Sequence, residues 1–164
     1  MPRVFYTSHH AGWMAMNNAL PIGQALTLLG RTQKYAEAPL PLALAAIKPA
    51  IGLKQFHMLH APDGSASALL TWGWISAFTM NSEPVRPVCA LSHGEWNEGE
   101  HLCIFDVLAP PHLVAPLLTH FFDHIAADHM TIHLYPSLRD AQSLRFTAWE
   151  SAHRGALIAS LGGA

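Results

Sequence analysis

A single α+β or mixed three-layer domain is the fold this sequence predicts, and three observations carry it. The chain has 164 residues, half of them hydrophobic, which is enough for one full core. Its first third carries helical periodicity broken by prolines. The remainder changes to a strand–turn–strand pattern, followed by one helix set between strands.

Residues 1–20 show no clear period and are expected to form an N-terminal arm, with 21–164 as the domain. Pro21–Leu29 places Ile22, Ala25, Leu26, Leu28 and Leu29 on a broad apolar face, with Pro21 in the first turn and Gly30 at the end. Pro39-Leu40-Pro41 opens a second helix over Leu42–Ile47, which Pro49 is expected to end or kink. Gln55–His60 and Ala66–Ser76 flank the turn Ala61-Pro62-Asp63-Gly64, predicting an antiparallel hairpin with Trp72 and Trp74 on one face.

Glu83–Pro87 reads as loop and Gly94–Gly99 as a turn before the apolar run Leu102–Phe105. That run ends in Asp106, with apolar residues on both sides, and Pro110-Pro111 stops it. A carboxylate on a buried strand is costly unless it is paired or used. Leu113–Ala127 reads as an amphipathic helix through Leu113, Leu117, Phe121 and His124. Met130–Tyr135 and Ser143–Trp149 read as two closing strands.

Only 12% of the residues are charged, which points to an apolar groove or an oligomer interface. No apolar run approaches the roughly 18–20 residues that span a bilayer. Met1–Ala19 lacks the apolar core of a signal peptide, so a cytoplasmic location is expected. A net charge of −2 and a pI near 6.6 argue against non-specific nucleic-acid binding. Cys89 and Cys103 form neither a CxxC pair nor a metal spacing, and Cys103 reads as a small buried hydrophobe.

Among the twelve histidines, His120 and His124 are four apart on the last helix, with His129, His133, Asp123 and Asp128 nearby. Such a pair can hold a metal, but no HExxH pattern is present and Phe121-Phe122 fill the interval. A solvated His-rich helix is the favoured reading, with no metal expected.

Several ordered pieces of the chain, from about Ile22 to Trp149, resemble the toxin-activating lysine acyltransferases that fatty-acylate RTX haemolysins. Ile22-Gly23 precedes Leu28-Leu29, and Pro49-Ala50-Ile51 is followed four residues later by Gln55. Trp72-Gly73-Trp74-Ile75-Ser76 matches the family's tryptophan strand. Trp96-Asn97-Glu98-Gly99-Glu100 leading to Ile104-Phe105-Asp106-Val107-Leu108-Ala109-Pro110 is the most specific part.

The resemblance implies a single-domain acetyltransferase-like (GNAT-related) fold, a mixed sheet flanked by helices and splayed where a thioester arm enters. It implies transfer of a fatty acyl group from acyl carrier protein to a lysine ε-amine of a protoxin-like target, by a homodimer with no other cofactor. It assigns catalysis to a histidine on the first helical segment and to the aspartate matching Asp106. The histidine position falls on Tyr35, because the family's Ser-Pro-hydrophobe-His is here Thr32-Gln33-Lys34-Tyr35. No histidine lies between His10 and His57.

An Asp–His pair activates an amine well, whereas a phenol with a pKa near 10 is a poor base and a reasonable acid. Asp106 and Tyr35 are therefore the candidate catalytic pair. His9, His10 or His101 could substitute for the family histidine, or catalysis could be lost, leaving a protein-binding or assembly module. Trp72 and Trp74 are candidates for the acyl channel or for core.

The stretch Ala109-Pro110-Pro111-His112-Leu113-Val114-Ala115 has no glycine and two prolines, which disfavours a pyrophosphate-binding loop and hence coenzyme A. Arg31, Lys34, Lys48 and Lys54 concentrate positive charge that could dock an acidic carrier protein, and Arg31 and Lys34 are the candidate substrate contacts.

Overall fold

A computed structural model of the chain describes residues 18–32, 35, 37–82, 86–127, 131–135, 147–150 and 153–162. Five strands form one mixed sheet in the order β1-β2-β3-β4-β5. They are β1 (Phe56–His60), β2 (Ala66–Ile75), β3 (His101–Leu108), β4 (Thr131–Leu134) and β5 (Thr147–Glu150). All neighbours are antiparallel except β3 and β4, which run parallel. A parallel pair needs a crossover, and a helix between β3 and β4 supplies it. The result is the predicted α+β domain, an acetyltransferase-like mixed sheet with helices on both faces.

Helix α1 (Ala19–Arg31) buries Ala25, Leu28 and Leu29, and Arg31 in its last turn complements the helix dipole. It begins two residues inside the segment assigned to the arm; residues 1–17 lie outside those described. Helix α2 (Leu40–Gly52) runs past Pro49, so of the two expectations for this proline, an end or a kink, the helix does not end there. Pro49 removes one N–H only near the helix end, while Ala46, Ile47, Ala50 and Ile51 are all buried. That burial outweighs one lost hydrogen bond.

A left-handed cap then stops α2. Lys54 has φ 58°, Gln55 N–H donates to Ala50 O (2.8 Å) and Lys54 N–H to Ile51 O (3.2 Å). This is the Schellman arrangement, with a lysine where glycine is usual.

The hairpin forms as expected, with β1 starting at Phe56 and Gly64 in the turn at φ 82°. Short helix α3 (Ala77–Met80) follows, capped by Ser76 Oγ, which accepts from Thr79 N–H at 3.1 Å. Helix α4 (Pro111–His124) packs on the sheet's other face, and α5 (Arg154–Gly162) packs on α4. The sequence patterning did not reveal α5, whose apolar positions form only a weak stripe. Of the last predicted strand, residues 143–146 lie outside those described.

Two hydrophobic clusters sit on opposite faces of the sheet. Leu28, Ile47, Leu69, Trp96 and Phe105 belong to the first, under α1 and α2. Leu70, Trp72, Ile104, Leu117 and Phe121 belong to the second, under α4. Three layers are thereby closed around one central strand, β3. No helix among the described residues is long and apolar enough to cross a membrane.

Candidate active site

Strict alternation along β3 would send Asp106 to the α4 face, alongside Leu102 and Ile104. A β-bulge prevents this. Thr71 of β2 stands opposite Asp106, but the next residue, Trp72, stands opposite Ile104, so Phe105 is an extra residue on β3. Beyond the bulge the faces are exchanged, and Val107 packs with the α4 cluster while Leu108 packs with the α1/α2 cluster. Phe105 and Asp106 consequently both face α1 and α2. Bulges of this kind re-aim single side chains.

Tyr35 reaches the same point from the α1–α2 connection. Its N–H donates to Thr32 O (3.1 Å) and its carbonyl accepts from Ala38 N–H (2.9 Å), which fixes the backbone on both sides. The phenol O–H donates to Asp106 Oδ2 at 2.8 Å, with both residues buried at 4% and 3% exposure. Burial raises the Tyr35 pKa well above its ordinary value, and the adjacent Asp106 carboxylate raises it further. The phenol therefore stays protonated at neutral pH and acts as a donor. It cannot serve as a base there.

The floor of the site is aromatic. Phe105 packs edge-on against Trp96 (4.2 Å between centroids) and Tyr135 (5.0 Å). The Tyr135 O–H donates to the carbonyl of Arg86 at 2.8 Å, and the Arg86 side chain forms an ion pair with Glu95. That pair, chiefly through its hydrogen bond, holds the Glu95 carboxyl down at about 2. Gly73 must lack a side chain, because a Cβ there would press into the Phe105 ring and Trp96 O. Cys103 lies in the same cluster, and burial pushes its thiol up to about 12, so it behaves as a small hydrophobe.

Parallel pairing of β3 with β4 covers Cys103 and Ile104, and the last bond runs from Tyr135 N–H to Ile104 O at 2.8 Å. On the other side of β3, Asp106 to Leu108 continue the pairing with β2.

The other candidates fall elsewhere. Trp72 is buried beneath α4 with its ring 5.6 Å from that of Phe121, and Trp74 is half-buried on the same face. Both therefore lie across the sheet from the Tyr35–Asp106 pair. Arg31 is exposed at the end of α1, as are Lys48 on α2 and Lys54 after it. Lys34, His9 and His10 lie outside the described residues. His101 starts β3, five residues from Asp106 and on the order of 15 Å along the strand. Its ring meets that of His133 at 5.4 Å.

His120 and His124 do not converge on a point. Their rings stack at 4.3 Å, and His57 of β1 stacks on His120 at 3.7 Å. Among the described residues no group of three His, Cys, Asp or Glu side chains is placed to hold a metal ion. His129 and Asp128 lie outside those residues.

The Tyr35–Asp106 bond and the bulge both occur within a chain whose residues 14–150 match the family model of the RTX toxin acyltransferases. The chain belongs to the RTX toxin acyltransferase family. It matches no curated protein. Membership gives the chain the family's coarse activity, acyl transfer of the toxin-activating type. Sequence reasoning passed over Thr71, a fully buried hydroxyl in the apolar run of β2 and opposite Asp106. Its one signal was a lone polar residue between Leu70 and Trp72.

Proposed function

We propose that this protein moves a fatty acyl group from acyl carrier protein to a lysine ε-amine of a toxin-like target protein, with Asp106 and Tyr35 at the reaction centre. The Tyr35–Asp106 hydrogen bond carries this reading, because it joins the family's aspartate to the residue that replaces the histidine. The neutral amine attacks the thioester carbon, and the carbonyl π pair moves to oxygen. The ammonium-like nitrogen of the tetrahedral adduct gives its proton to Asp106. Collapse re-forms the carbonyl and breaks the C–S bond. The departing sulfur takes the Tyr35 proton, and Asp106 returns its own proton to Tyr35, leaving amide, thiol and an unchanged enzyme.

A carrier-protein donor is supported by the start of α4, where Pro110 and Pro111 contribute no N–H to a phosphate. Exposed Arg31, Lys48 and Lys54, together with Lys34, support docking of an acidic carrier. Homodimerisation is part of the same reading, supported by exposed Leu40, Leu42 and Phe78.

A second reading, a catalytically inactive descendant that binds proteins, is favoured by one observation: the buried phenol supplies no base at neutral pH. Mass spectrometry of a calcium-repeat protoxin after incubation with palmitoyl-acyl carrier protein and this protein separates the two. Acylated lysine in the parent reaction, lost with Asp106→Asn, is the expected result. A parent that never acylates the protoxin but still binds it supports the second reading.

A further inference from the structure

Acyl transfer needs a donor for the oxyanion that forms on the thioester carbonyl, and neither member of the dyad is placed to supply it. Asp106 accepts, and the one O–H of Tyr35 is committed to Asp106. The same face of the sheet holds an unused donor. Thr71 is 0% exposed, and its Oγ1 has no hydrogen-bond partner. Leaving a hydroxyl unsatisfied in a core is destabilising, and a valine would fill the same volume without that cost.

Its position is set by register. Leu69 and Leu108 are paired and both belong to the α1/α2 cluster, while Leu70 and Val107 are paired and both face α4. The next pair, Thr71 and Asp106, returns to the α1/α2 side, where the bulge has placed the carboxylate. Directly opposed residues of an antiparallel pair have Cα atoms about 4.5–5.5 Å apart. A reacting carbonyl set beside the carboxylate therefore comes within reach of the Thr71 hydroxyl. Trp96 Nε1 is also a buried donor without a hydrogen-bond partner, but Trp96 lies in the turn before β3 and is not opposite Asp106 in the sheet.

We infer that the Thr71 hydroxyl is the oxyanion donor of this site, hydrogen-bonded to the thioester oxygen as the tetrahedral adduct forms. No bond to Thr71 is made or broken: its O–H binds the oxygen while the negative charge is there and is released when the carbonyl re-forms. This role rests on the acyltransferase reading above.

Thr71→Val and Thr71→Ser, assayed with palmitoyl-acyl carrier protein and a calcium-repeat protoxin, test it. For Thr71→Val, kcat falls about a hundredfold with KM changed by less than about threefold, the pattern of a lost oxyanion donor. Its melting temperature equals or exceeds the parent's, since an unsatisfied hydroxyl has been removed. Thr71→Ser keeps the hydroxyl and retains most of kcat. A Thr71→Val variant within about twofold of an active parent overturns the Thr71 role and leaves the acyltransferase reading intact. So does a Thr71→Ser variant that melts like the parent but is as slow as Thr71→Val. A parent that transfers no acyl group overturns both.

Discussion

The Tyr35 hydroxyl donates to Asp106 Oδ2 at 2.8 Å across 71 residues of sequence, and both side chains are buried. The bond links the α1–α2 connection to the central strand, so it is a structural tie whatever its part in the reaction. Breaking it leaves a buried carboxylate short of a donor.

Tyr35→Phe should therefore lose about 1–3 kcal/mol of stability, read by chemical denaturation at neutral pH. Its acyl transfer should fall about a hundredfold or more, because the proton for the departing sulfur is gone. A variant as stable as the parent would contradict the tie.

Tyr35→His installs the residue that the family resemblance places here. Transfer by this variant should rise with pH across the imidazole range near 6.5, since neutral imidazole is the competent base. The parent, whose phenol keeps its proton throughout, should show only the steady rise that the growing neutral-amine fraction gives both proteins, without the added inflection near 6.5. Initial rates between pH 5.5 and 8.5 compare them.

Alkali should reveal the phenols only when the fold opens. Burial raises both Tyr35 and Tyr135 above the ordinary value, so each keeps its proton in the fold while the unfolded chain loses one near pH 10. Their contribution to stability is complete below pH 10 and is lost as pH rises above it. The chain has three tyrosines. An absorbance titration at 295 nm should show at most one ionising near pH 10, with the rest appearing together with loss of secondary structure.

Acid should weaken the packing of β1 against α4. Burial lowers the His57 pKa to about 4, with His120 adding to the effect, and Nε2 of His57 has no partner. An unfolded histidine takes up its proton near 6.5, so this stabilisation is present above pH 6.5 and drains away as pH falls towards 4. Allowing for partial exposure, the loss is about 1–2 kcal/mol. His57→Leu should flatten denaturation midpoints across that window.

Lys54→Gly should stabilise the protein by up to about 1 kcal/mol. The left-handed backbone that closes α2 strains a side chain with a Cβ and suits glycine. The lysine head is exposed, so the change in midpoint reports mainly the backbone. A loss of stability instead would show that the lysine stem packs usefully.

Much of the fold was legible in order and type. Prolines at helix starts, the Asp63-Gly64 turn and the apolar run before Asp106 each act locally, and each element formed near its expected place. What the patterning left open had tertiary causes. Pro49 stayed inside α2 because its neighbours are buried on the sheet, and α5 formed against α4 without a strong stripe of its own. The site residues divided in the same way: Asp106 and Tyr35 met, while Trp72 and Trp74 turned to the opposite face.

The sequence by itself determined the α+β class, the family, the aspartate of the central strand and the absence of the family histidine from the first helical segment. These follow from local periodicity and from motifs held in order along the chain. Only the tertiary structure decided which face Asp106 uses. One extra residue on β3, seen only when the strand is laid against β2, turned the carboxylate from the α4 core to Tyr35 and set it opposite Thr71. A bulge depends on the register between strands, and register is a property of the pair that neither strand carries alone.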